Sequence, residues 1–145
     1  MVIEKIIGKL REPAQNKRVE TVRFEWFERN NKILKKTTSS GEEIGLRLSE
    51  PLYDSGVLFE DENRIIVLSL TPCKLTRISV SSIKGMGRAC FELGNRHLPL
   101  FVGEDWVDTP YDRPTFEYLQ KLGFQCECVT EKFTPEVTVQ GHRHE

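Results

Sequence analysis

The sequence predicts an α+β protein, with a small all-β domain over residues 1–73, a β-α-β-β-α-β domain over 74–140 and a short tail over 141–145. Three observations carry that reading. Short runs in the first half alternate apolar and polar residues, the period of a strand with one buried face. Clusters of Gly, Asn, Asp and Ser break those runs at the close spacing of a small sandwich or barrel. Beyond Thr71-Pro72-Cys73 the apolar spacing turns helical twice, with strand patterns on either side.

In the first half, Val22, Phe24 and Trp26 alternate with Thr21, Arg23 and Glu25. Glu28-Arg29-Asn30-Asn31 reads as a turn, 32–38 as the next strand and Ser39-Ser40-Gly41 as a second turn. Ile44, Leu46 and Leu48 alternate again. Asp54-Ser55-Gly56 and Glu60-Asp61-Glu62-Asn63 bracket a short strand at Val57-Leu58-Phe59, and 65–70 is a stronger strand, apolar at nearly every position.

In the second half, 75–80 reads as a strand. Met86, Ala89, Cys90 and Leu93 then fall at i, i+3, i+4 and i+7, one face of a helix. Ser81 or Ser82 can cap its start. Gly94-Asn95 is expected to end it, since both residues tolerate the left-handed conformation that closes helices. Residues 98–102 and Trp106-Val107 pair as strands across the turn Gly103-Glu104-Asp105. A second helix follows Asp112-Arg113-Pro114, with Phe116, Leu119 and Leu122 as its apolar stripe and Gly123 as its stop. Residues 124–129 form the last strand, which completes the order of a ferredoxin-like domain. The ending Gly141-His142-Arg143-His144-Glu145 has no apolar anchor and is expected to be mobile.

Composition narrows the function. A chain of 145 residues makes one ordinary domain or two small ones. Two half-size domains would each bury little surface, so docking on each other or on a second subunit would help them. The net charge of −1 gives no general affinity for nucleic acid. The charge is uneven, with eleven Lys/Arg against eight Asp/Glu in residues 1–50 and ten against fourteen in the remainder. That leaves a mildly basic front half, which is either an ordinary solvated face or a surface for an acidic partner. No apolar run approaches the roughly 20 residues that span a bilayer. The N-terminus Met1-Val2-Ile3-Glu4-Lys5-Ile6-Ile7 is too short and too charged for a signal peptide, so a cytoplasmic location without membrane attachment is expected. The four cysteines would then be reduced thiols.

No glycine-rich phosphate loop, His-Glu-x-x-His motif or Gly-x-Ser-x-Gly elbow occurs, which argues against an enzyme. The chain holds three histidines, His97, His142 and His144. His97 lies just past the first helix. It either suits the helix dipole there or ligates a metal. One imidazole cannot hold a divalent ion tightly, but a two-fold dimer brings the same residue from both chains to one axis. His142 and His144 form a His-x-His pair, either a metal-binding tail or an accident of a polar terminus; imidazole suits Ni²⁺, Cu²⁺ and Zn²⁺. Cys126-x-Cys128 lacks both the Cys-x₂-Cys spacing and the second pair of a structural metal site, so buried thiols in the last strand are expected. Cys90 falls on the apolar face of the first helix and reads as core; Cys73 is undecided. Trp26-Phe27 is either core or an apolar groove for a partner peptide.

The run Met86-Gly87-Arg88-Ala89-Cys90-Phe91-Glu92-Leu93-Gly94-Asn95-Arg96-His97-Leu98-Pro99-Leu100-Phe101 resembles the signature of the urease accessory protein E family. So do Pro110-Tyr111-Asp112-Arg113-Pro114 and the helix ending in Lys121-Leu122-Gly123-Phe124. The resemblance implies a nickel metallochaperone that acts as a homodimer. It implies a β-rich N-terminal domain like a chaperone peptide-binding domain, and a ferredoxin-like domain that dimerises through its first helix region. His97 would be the ligand shared by both chains for Ni²⁺, with Zn²⁺ or Cu²⁺ able to substitute in vitro, and His142 and His144 would be extra ligands. The implied partners are the urease accessory GTPase and the urease activation complex. Some members carry a long His-rich tail and histidines in the stretch matching Tyr111-Asp112-Arg113. Here the tail has two and that stretch none, which implies few ions per dimer. Two other functions stay open from the residues: a general zinc or copper buffer, since copper outcompetes nickel at such ligands, and a peptide-binding scaffold controlled by metal.

Overall fold

The computed structural model describes residues 1–12 and 16–137. The chain divides into two compact units, Met1–Thr71 and Pro72–Glu145.

The first unit contains strands β1 (Val2–Ile3), β2 (Gly8–Lys9), β3 (Arg18–Phe24), β4 (Ile33–Thr37), β5 (Glu43–Arg47), β6 (Gly56–Glu60) and β7 (Arg64–Leu70). They form two sheets, ordered β1-β5-β4 and β2-β6-β7-β3. Val22 and Phe24 of β3 and Ile66, Leu68 and Leu70 of β7 share one buried cluster with Ile3 of β1 and Ile44 and Leu46 of β5. The inward faces of the two sheets therefore meet across a common core, as period-2 patterning requires. β7 is apolar at nearly every position because both its faces are covered. Its other face packs Ile65 and Val67 against Val57 and the partly buried Leu10.

Three features differ from the sequence reading. β1 and β2 have two residues each, too short to show alternation. The β1–β5 and β3–β7 pairs are parallel, so hairpins alone do not generate the sheets. Trp26–Glu28 forms a 3-10 turn that Glu25 and Glu28 cap reciprocally, instead of continuing the strand. The two aromatics meet edge to face at 5.7 Å but differ in burial: Trp26 packs against the core, while Phe27 is 64% exposed.

Glu20 of β3 is buried at the seam between the sheets. Ser40 in the β4–β5 turn donates to its Oε1 at 2.6 Å, and Arg18 and Arg64 donate to Oε2 at 3.0 and 3.3 Å. Arg64 also reaches Glu42 at 2.7 Å. The Ser40 hydrogen bond, with help from the two arginines, lowers the Glu20 carboxyl to about 2 against the opposing effect of burial.

The second unit runs β8 (Cys73–Ser79), α1 (Ile83–Asn95), β9 (Phe101–Val102), β10 (Trp106–Pro110), α2 (Arg113–Lys121) and β11 (Gln125–Glu131). The sheet order is β11-β8-β10-β9 and every pair is antiparallel, the ferredoxin-like arrangement. Ile78 and Val107, directly paired, share a buried cluster with Ala89 and Leu93 of α1 and Leu119 of α2. Both helices thus cover one face of the sheet. On the other face Arg77 forks onto the buried Asp108 at 2.9 and 3.0 Å and stacks 5.3 Å above the Trp106 ring. After β11 the chain turns back, buries Phe133 and pairs Val137 with Leu100.

Ser82 rather than Ser81 caps α1, accepting from the Gly85 N–H at 3.0 Å. Asp112 caps α2, accepting from the Thr115 N–H at 3.1 Å and its hydroxyl at 2.7 Å. Cys90 and Cys126 pack half-buried against the helix-side core. The expectation of two buried thiols on the last strand is corrected at Cys128, which is exposed. β11 is an edge strand, and Cys128 lies on it opposite Thr76.

Candidate metal centre

His97 stands in the turn that closes α1, and it is exposed. The sequence reading put the left-handed residue at Gly94-Asn95, but both are still helical. Arg96 is the cap, at φ −91° and ψ 4°, and His97 takes the left-handed φ of 62°. The His97 N–H donates to the Gly94 carbonyl at 3.0 Å and the Leu98 N–H to the Leu93 carbonyl at 3.1 Å. These are the two hydrogen bonds of a Schellman turn, with histidine where glycine usually stands. The apolar Leu98 decides the location, because only this closure returns it to the cluster that holds Leu93. A non-glycine residue in this conformation costs of order 1–3 kcal/mol. The same turn sets the imidazole at the negative end of the α1 dipole, which favours a bound cation.

Two sets of contacts surround this turn. Arg96 donates from Nη2 to the Thr115 hydroxyl of α2 at 3.3 Å, and its guanidinium lies 4.9 Å over the Tyr118 ring. Tyr118 in turn donates to Glu92 of α1 at 3.3 Å. Three residues past His97, the Leu100 carbonyl accepts from the Glu136 and Val137 N–H groups at 2.7 and 3.1 Å. The Glu136 carboxylate accepts from the Val102 N–H at 3.1 Å. The described chain therefore ends beside the strand that leaves His97. His142 and His144 lie outside the described residues.

The outward face of α1 carries Ile83, Gly87, Phe91 and Gly94, spaced to lie along one line of the helix that leads to His97. Ile83 is 93% exposed and Phe91 67%. Among the described residues, no three His, Cys, Asp or Glu side chains come together to hold a metal ion. Burial pushes the Cys90 and Cys126 thiols up, away from the thiolate form that ligates. The sequence singles out His97 but neither Arg96 nor the return of 132–137. A basic residue at a helix end reads only as a complement to the dipole, and the return is marked by just two apolar residues, Phe133 and Val137, too few to show a period.

The N-terminal domain of the family described as UreE urease accessory protein matches residues 3–70, and its C-terminal domain matches residues 74–145. The chain belongs to the UreE family. UreE of Actinobacillus pleuropneumoniae is 35% identical over 152 residues, which span 97% of this chain and 81% of that protein. UreE of Flavobacterium johnsoniae is 35% identical over 150 residues, spanning 99% and 91%. UreE of Acetivibrio thermocellus is 36% identical over 126 residues, spanning 85% and 82%. This UreE chain is thus a urease accessory protein with a role in urease maturation, and not itself an enzyme. No helix among its described residues is long and apolar enough to cross a membrane.

Proposed function

We propose that this UreE chain is a nickel metallochaperone, which binds Ni²⁺ as cargo through His97 of two copies and delivers it for assembly of the urease active site. The observation that carries this is an exposed imidazole, held in a strained turn at the end of an exposed apolar stripe, in a chain whose described residues complete no ligand set alone. Docking two copies along Ile83, Gly87, Phe91 and Gly94 buries that stripe and brings the two His97 side chains toward one axis. Glycines at 87 and 94 let the helices approach closely.

The tail supplies further ligands in this reading. His142 is five residues beyond Val137, and five extended residues reach about 17 Å. That is enough to return past Leu100 to His97. Ligands that arrive on a tether can also leave, which a carrier requires. The C-terminal unit binds metal and dimerises, and the N-terminal unit is the peptide-binding-like module that meets a partner. The urease accessory GTPase is the recipient, within a cytoplasmic urease activation complex, and Zn²⁺ or Cu²⁺ competes for the same imidazoles.

The test is activation of apo-urease by its accessory proteins with limiting nickel and a competing chelator. Nickel loaded on the wild-type chain should activate more urease than the same nickel free or mixed with His97→Gly. Equal activation in all three would contradict the proposal.

A further inference from the structure

We infer that Arg96 is a positioning residue for His97 and that α2, through Thr115 and Tyr118, clamps the nickel-binding turn; this rests on the reading of His97 as the shared ligand. His97 holds a left-handed backbone that histidine does not favour by itself. Such a residue stays strained only where its surroundings leave it no alternative. Leu98, packed back on Leu93, supplies part of that constraint, and the residue before His97 supplies another part. Arg96 caps α1 with its backbone, while its side chain bonds the Thr115 hydroxyl at 3.3 Å and lies 4.9 Å over Tyr118.

Both anchors are themselves fixed. Thr115 is buried and its hydroxyl donates to Asp112 at 2.7 Å. Tyr118 bonds Glu92, one turn before the cap of α1, at 3.3 Å. The guanidinium is thus held on a planar ring and a hydroxyl, a geometry that an ammonium does not reproduce. If the turn unwinds to relieve His97, Arg96 must leave both anchors. Without the clamp the imidazole samples other directions, and two such imidazoles no longer converge on one ion. Groups that orient a metal ligand in this way change affinity by about 10- to 100-fold when removed.

The test measures nickel affinity, thermal midpoint and backbone amide exchange for Arg96→Lys, Tyr118→Leu, Tyr118→Phe and His97→Gly, each in the full chain. Arg96→Lys and Tyr118→Leu should bind nickel about 10-fold more weakly with a near wild-type midpoint. Tyr118→Phe, which keeps the ring under the guanidinium, should recover what Tyr118→Leu loses. In Arg96→Lys the His97 and Leu98 amides should exchange faster, while the Phe124 amide, in the matching turn after α2, should not. Wild-type affinity in Arg96→Lys and Tyr118→Leu, with binding lost in His97→Gly, would overturn the clamp and leave the shared ligand standing. A loss of affinity that follows the thermal midpoint, with no recovery in Tyr118→Phe, would also overturn it. Wild-type binding by His97→Gly would remove the ligand reading and the clamp with it.

Discussion

His97 and Gly123 occupy the same place in the same turn. Each follows the cap of its helix with a left-handed backbone, φ 62° and 96°, and each precedes an apolar residue whose N–H reaches back across the turn. Leu98 bonds Leu93 at 3.1 Å after α1, and Phe124 bonds Leu119 at 3.1 Å after α2. One turn uses the residue that fits and the other uses one that does not. Under the proposed function, the imidazole at the first turn is the nickel ligand, and the backbone strain accompanies it.

The two positions should respond in opposite directions. His97→Gly should stabilise the C-terminal unit by about 1 kcal/mol, since it removes the left-handed penalty. Gly123→Ala should destabilise it by about 1 kcal/mol, since it introduces one. Denaturant midpoints of the two variants against wild type check this. A destabilised His97→Gly would mean that the side chain itself supports the fold.

Acid should act on the N-terminal unit through Glu20. Its carboxyl falls from an ordinary 4.5 to about 2 when folded, mainly through the Ser40 hydrogen bond. A depressed acid stabilises the fold fully above its unfolded value, and that contribution disappears as pH falls from about 4.5 toward 2. Wild type should therefore lose stability across that window. Glu20→Gln should be weaker at neutral pH and flatter below pH 4.5. Parallel pH profiles for the two chains would show that the seam does not depend on the charge.

Thiol reactivity should separate the cysteines. Cys128 is exposed, while burial raises Cys90 and Cys126. Alkylation at neutral pH should reach Cys128 first, and Cys90 and Cys126 only slowly, with rates that climb above the ordinary thiol value of about 8.5. Nickel should leave this order unchanged. Mass-mapped labelling that shows nickel protecting any of the three would bring a thiolate into the metal site.

Most elements were legible because their patterns are local. Alternation marked β3 and β5, a nearly continuous apolar run marked β7, the 3.6-residue period marked α1, and Asp112-Arg113-Pro114 with Gly123 marked both ends of α2. The missed features depend on distant contacts. β1 exists because β5 lies parallel to it, and the return of 132–137 exists because Leu100 offers a carbonyl. His97 was legible as a ligand candidate by residue type. Its left-handed backbone was not, since Gly94 and Asn95 have the better local propensity and Leu98 packing on Leu93 outweighs it.

The proposed function requires two copies of His97 to hold one nickel ion. Calorimetric titration of wild type and His97→Gly with Ni²⁺ tests it most directly, because glycine removes the imidazole while suiting the turn. A shared site should give a tightest binding step at about one ion per two chains in wild type, and that step should be lost in a fully folded His97→Gly. Binding of the same affinity and stoichiometry in His97→Gly would contradict a nickel site shared by two His97 side chains.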